Sequence, residues 1–151
     1  MGDRETVASQ LGRRPRAFRS VAVRCPFGQP AVTEQSPYDD AGGPFPTAYW
    51  LTCRHLVAAV SRLEAAGGVE RWTKAAAEKP ELAASLARAH AEQRRLRPEH
   101  DLGVGGSRAG AGTLKCLHAH VAFALARPGY ELGERVLAEL EPFWPDRCCT
   151  A

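Results

Sequence analysis

No run of about 18 apolar residues occurs anywhere in the chain, so no segment reads as a membrane-spanning helix. The opening MGDRETVASQLGRRPR lacks the apolar stretch of a secretory signal. A strong excess of one charge is also missing. The chain has 20 Lys and Arg against 17 Asp and Glu, a net +3 that is too mild to predict a nucleic-acid-binding face. There is no CxxC pair, no GxxxxGK[ST] phosphate loop and no internal repeat. These absences leave an ordinary globular protein, expected to be cytoplasmic. Thiols stay reduced in that compartment, so the five cysteines read as ligands, catalytic groups or core residues before they read as disulfides.

The 151 residues suit one domain with a real core. We divide them into a flexible arm over 1–15, a globular α+β domain over 16–145 and a loose tail over 146–151. Val21, Val23 and Cys25 alternate with Ala22 and Arg24, which predicts a strand over 17–25. Pro26, Gly28 and Pro30 break it, and the turn-rich stretch 34–46 reads as a long connection. The segment TAYWLTC (47–53) predicts a second strand, paired with the first or beside it. The remainder is helical. Leu56, Val57, Val60 and Leu63 mark a helix that Gly67 and Gly68 end, and a short helix over 69–78 follows. Pro80 opens a long helix to about Arg97. Thr113 reads as the N-cap of a helix carrying Leu117, Val121 and Leu125, and a last helix covers about 131–141. The expected fold is a small sheet of two or a few strands on four to five helices, mainly helical.

Chemistry concentrates in KCLHAH (115–120). With Thr113 as cap, Cys116 falls in the first helical turn, where the dipole favours a thiolate. His120 is four residues on and shares its face, so the pair can supply two ligands to one metal. His118 points elsewhere and reads as an additional ligand or base. Cys25 and Cys53 end the two strands, so neighbouring strands would bring them together. Cys25, Cys53, Cys116 and His120 would then hold zinc, or three thiolates would hold an iron–sulfur cluster. Each cysteine taken alone reads more readily as core.

A glycine-rich loop, GVGGSRAGAG (103–112), precedes this helix. Gly105, Gly106, Arg108 and Lys115 make it a candidate anion site, with a flexible linker as the competing reading. Arg88, Arg94, Arg95 and Arg97 read as a solvated helix face. Glu64 carries no assigned role.

Five blocks in order, CPFGQP (25–30), PFPTAYWLTC (44–53), VSRLEAAGG (60–68), GVGG (103–106) and KCLHAH (115–120), resemble the uncharacterised bacterial family called domain of unknown function 501. The likeness runs from about residue 17 to 137. It departs at Arg54, where proline is expected, and at RPGYELG (127–133), where an Asn-Pro-Val-Gly turn is expected. The resemblance implies an actinobacterial source and gene neighbours that include a septum-formation initiator, but no activity. It places Cys25, Cys53, Cys116, His118 and His120 inside signature blocks. Three functions follow as expectations. The first is a zinc or iron–sulfur protein. The second is an enzyme with Cys116 or Cys53 as nucleophile, and the third is a non-catalytic protein partner in cell division.

Overall fold

The alternation of Val21 and Val23 builds the expected first strand, β1, over Phe18–Arg24. Its partner is a strand that the sequence hides. The computed structural model, which describes residues 2–149, places β2 over Pro30–Gln35 and β3 over Tyr49–Leu51, in the antiparallel order β1-β2-β3. Pro30 sits at the first position of β2, where a missing N–H costs the ladder little. Ala31, Val32 and Thr33 are all buried, so the central strand shows no alternation to read. The two expected strands are therefore separated by β2, with Val23 and Leu51 on either side of Val32.

Among the described residues six helices surround the sheet, the arm supplying the first: α1 (Asp3–Leu11), α2 (Arg54–Ala65), α3 (Gly68–Glu78), α4 (Pro80–Leu96), α5 (Leu117–Ala126) and α6 (Glu131–Glu139). The class is α+β and mainly helical, as expected. Gly67 takes a left-handed φ of 86° between α2 and α3, and Pro80 occupies the first turn of α4. Helix α5 is apolar nearly all round. Leu117, Val121, Ala122, Phe123 and Ala124 are each at most 3% exposed, so this helix is the core, packed on β3, α2 and α6.

Three local expectations are corrected. The arm is a helix. Val7 is wholly buried, Gln10 Nε2 donates to the Pro30 carbonyl at 2.8 Å, and α1 packs on β1 and β2. Gly12 closes α1 in the left-handed conformation. In the tail, Cys148 and Cys149 pack against the core, as do Phe143 and Trp144 just before it, while residues 150 and 151 lie outside the described residues. Finally, Arg97 is not solvated. It is 4% exposed and donates to the Gln35 carbonyl, tying the end of α4 to β2.

Candidate functional site

The start of α5 builds the site. Lys115 adopts a left-handed φ of 68°, so the helix cannot begin at Thr113. Thr113 Oγ1 instead accepts from the Lys115 N–H at 3.1 Å, and Cys116 becomes the N-cap in extended conformation. Cys116 and His120 consequently do not share a helical face. The N-terminal N–H of Leu117 is capped from another helix, donating to Glu64 Oε2 of α2 at 2.7 Å. A carboxylate there also meets the positive end of the helix dipole.

His118 reaches back over this cap. Its Nδ1 lies 3.2 Å from Glu64 Oε2 and 3.6 Å from Cys116 Sγ. Its Nε2 lies 3.3 Å from the Val57 carbonyl and 3.2 Å from Ser61 Oγ. A carbonyl only accepts, so the hydrogen-bond pattern assigns a proton to Nε2. In the neutral ring Nδ1 then presents a lone pair to a carboxylate and a sulfur. A proton, on the Cys116 thiol or on Nδ1 itself, or a metal ion can bridge these atoms. The His118 pKa is raised, by the Cys116 hydrogen bond first, against burial, with Glu64 and the Val57 carbonyl adding to it. Among the described residues, Glu64, Cys116 and His118 are the group of three or more His, Cys, Asp or Glu side chains with metal-ligand spacing, their donor atoms within 4.8 Å of one another.

The other expected ligands stand apart from this group. Cys25 is buried in the β1–β2 turn, where its N–H donates to the Gln29 carbonyl at 2.8 Å. Cys53 is the N-cap of α2, with Sγ 3.7 Å from Cys149 Sγ, and burial pushes its thiol up to about 11. His120 is a satisfied core histidine. Its Nε2 donates to the Leu114 carbonyl at 3.2 Å and its Nδ1 accepts from the Tyr130 hydroxyl at 2.7 Å. Burial drives its pKa down to about 4, so it is neutral. The glycine-rich loop is tied down as well. The N–H groups of Gly103, Val104, Gly106 and Ser107 are all spent within the chain, and Lys115 Nζ donates to the Gly106 carbonyl at 3.2 Å. Arg108 points into solvent, away from any such cradle.

Glu64 went unassigned in the sequence, although a signal exists. Val57, Ser61 and Glu64 stand at i, i+4 and i+7 of α2, so two polar residues continue an apolar row. Polar groups on a helix face that meets a core call for partners, and His118 supplies one.

Cys116 and His118 line a cleft of about 610 Å³. Its walls are the end of α1 (Leu11), β3 (Tyr49, Trp50, Leu51), α2 (Arg54, Val57, Ala58), Gly105 and Ala119. The volume falls in the range of small-molecule sites, and a mainly apolar lining with a few convergent polar groups is their usual composition. Arg54 does not offer its charge to the cleft. It donates to the Ser9 and Gln10 carbonyls at the C-terminal end of α1.

A family model described as protein of unknown function (DUF501) matches residues 21–100, just over half of the 151-residue chain. The matched span includes Glu64, Cys25 and Cys53 and ends before Cys116 and His118. No curated protein and no solved structure matches the chain.

Proposed function

The chain belongs to this DUF501 family of unknown function, and within it we propose a metal-binding protein whose ligands are Glu64, Cys116 and His118. One observation carries the reading: His118 Nδ1, Cys116 Sγ and a Glu64 oxygen meet within 4.8 Å, while His118 Nε2 is spent on a backbone carbonyl. A metal-bound histidine usually donates its second ring N–H in this way, which fixes the ring and raises its basicity. One sulfur, one nitrogen and one oxygen suit zinc. Three protein ligands leave a fourth position, as in zinc sites that act on a bound molecule. Because Cys116 and His118 line the cleft, that position faces it, and the apolar walls favour a small organic ligand. An iron–sulfur cluster does not suit a group with a single cysteine.

Anaerobically purified protein, freed of loosely held metal by dialysis, tests the proposal by elemental analysis and cobalt substitution. About one equivalent of zinc is expected, with a thiolate-to-cobalt absorption band in the substituted protein. C116S should abolish the band, and E64Q should weaken zinc binding at least about tenfold. Absence of metal uptake at micromolar zinc would sink the reading.

A second reading rests on the same pair of atoms. Cys116 Sγ stands 3.6 Å from His118 Nδ1 at a helix N-terminus, the setting of an activated thiolate nucleophile. Metal-free protein whose Cys116 alkylates far faster than the other cysteines at neutral pH would favour it.

A further inference from the structure

Cys53 and Cys149 bring two sulfurs from distant parts of the chain to 3.7 Å. Cys53 is 1% exposed at the start of α2. Cys149 is half-buried in the segment after α6. Phe143 and Trp144, a few residues earlier, meet in a tilted pair at 5.4 Å between ring centroids and pack that segment against the core. A disulfide is about 2.05 Å long, so the two sulfurs need to close by about 1.7 Å. Cys53 is fixed as the buried N-cap of α2, so the movement falls to the Cys149 side chain and the segment that carries it.

We propose that Cys53 and Cys149 are a redox modification site that closes into a reversible disulfide and clips the C-terminal segment onto the start of α2. The oxidant is a low-molecular-weight disulfide, such as glutathione disulfide. Cys149, the more exposed thiol, attacks as thiolate, its proton going to solvent. One glutathione sulfur bonds to Cys149, the glutathione S–S bond breaks, and one glutathione thiolate leaves. Cys53 then releases its proton to solvent and attacks the Cys149 sulfur, expelling the second glutathione thiolate. Two protein sulfurs have lost two electrons and two protons, and one glutathione disulfide has become two glutathione thiols. Burial keeps Cys53 protonated, which assigns the first attack to Cys149 and makes the second step the slow one. Thr52 and Arg54 flank Cys53 in the chain and line the cleft, so the clip fastens directly behind the cleft wall.

The full chain is incubated with glutathione disulfide, alkylated, digested with trypsin without reduction and sequenced by mass spectrometry. The expected product joins residue 53 to residue 149, disappears on treatment with dithiothreitol, persists in C25S and C148S, and is lost in C149S. The oxidised chain should melt at least about 5 °C higher than the reduced chain, because the link closes a long loop, and C149S should show no such difference. An unchanged urea midpoint for reduced C149S confirms that the variant is folded. Two results overturn the proposal. One is a stable glutathione adduct on Cys149 with Cys53 left as thiol. The other is a link that forms equally fast in C149S through Cys148.

Discussion

His118 and His120 are two residues apart and sit in opposite chemistry. The ring of His118 faces a carboxylate and a sulfur, which favour its cation. That of His120 is buried, with the His90 ring 6.3 Å away; burial first and His90 after it favour the neutral ring and outweigh the Leu114 carbonyl, which favours the cation. The pH consequence belongs to His120. Its pKa falls from 6.5 unfolded to about 4 folded, so its contribution is present above about pH 6.5 and is lost as pH falls toward 4. The shift corresponds to about 3 kcal/mol in that window. Urea midpoints measured between pH 7 and about pH 4 should drop steeply. His90, lowered by burial and then by Arg94, adds to the same trend. H120Q should flatten most of the slope, and an unchanged slope would reassign it to His90. The cysteines show the same dependence on surroundings. Cys116, at a helix start, gains partners from α5 and α2, whereas Cys25, at a strand end, is simply core.

At the level of elements, the site depends on how closely helices approach α5. Gly133 lets α6 lie against it. A Cβ at that position would stand 2.6 Å from Ala124 Cβ and 2.8 Å from the His120 carbonyl oxygen. Neither of those atoms is the tip of a flexible side chain, so the helices themselves must separate. G133A should therefore destabilise the protein by about 2 kcal/mol despite alanine's better helix propensity. Equilibrium urea denaturation reads this directly, and a neutral or stabilising result would show that α6 does not pack as described. The same approach explains why the glycine-rich loop is no linker. Val104 is 1% exposed and its N–H is held by His90 Nδ1 at 3.0 Å, so one turn of the loop belongs to the core. Composition alone reads such glycines as freedom, while packing uses two of them, Gly105 and Gly106, for left-handed turns at φ 70° and 76°.

Across the whole molecule, α1 closes one side of the cleft with Gln10 and Leu11. It carries few apolar residues and only Val7 is fully buried among them. Its attachment is otherwise mostly polar: Gln10 to the Pro30 carbonyl, Arg54 to the Ser9 and Gln10 carbonyls, an exposed Asp3–Arg24 pair at 2.7 Å, and Arg4 over the Phe18 ring at 5.0 Å. A helix held by so few contacts should be among the first elements to open. V7D places an unpaired charge in its one apolar anchor and should release it. Amide hydrogen exchange over residues 6–11 should then speed up at least about tenfold while α5 stays protected. Unchanged protection of α1 would show that its polar contacts suffice.

Local pattern determined much of this protein. Strand β1 was legible from alternation, β3 from its aromatics, and α2, α4, α5 and α6 from periodic leucine and valine, because an amphipathic element must write its burial into the sequence. Strand β2 left no such trace, being covered on both faces and opened by a proline. Helix α1 left little, being held by side chains of other elements. The candidate site divides along the same line. The segment KCLHAH marked Cys116 as a candidate but paired it with His120, leaving His118 as an additional ligand or base. Only the tertiary structure decided that His120 turns into the core, that Lys115 delays the helix, and that Glu64, 52 residues before Cys116, completes the group. Spacing along one helix constrains which neighbours a residue has within four positions. Which helix lies across from it is set by the packing of the whole core.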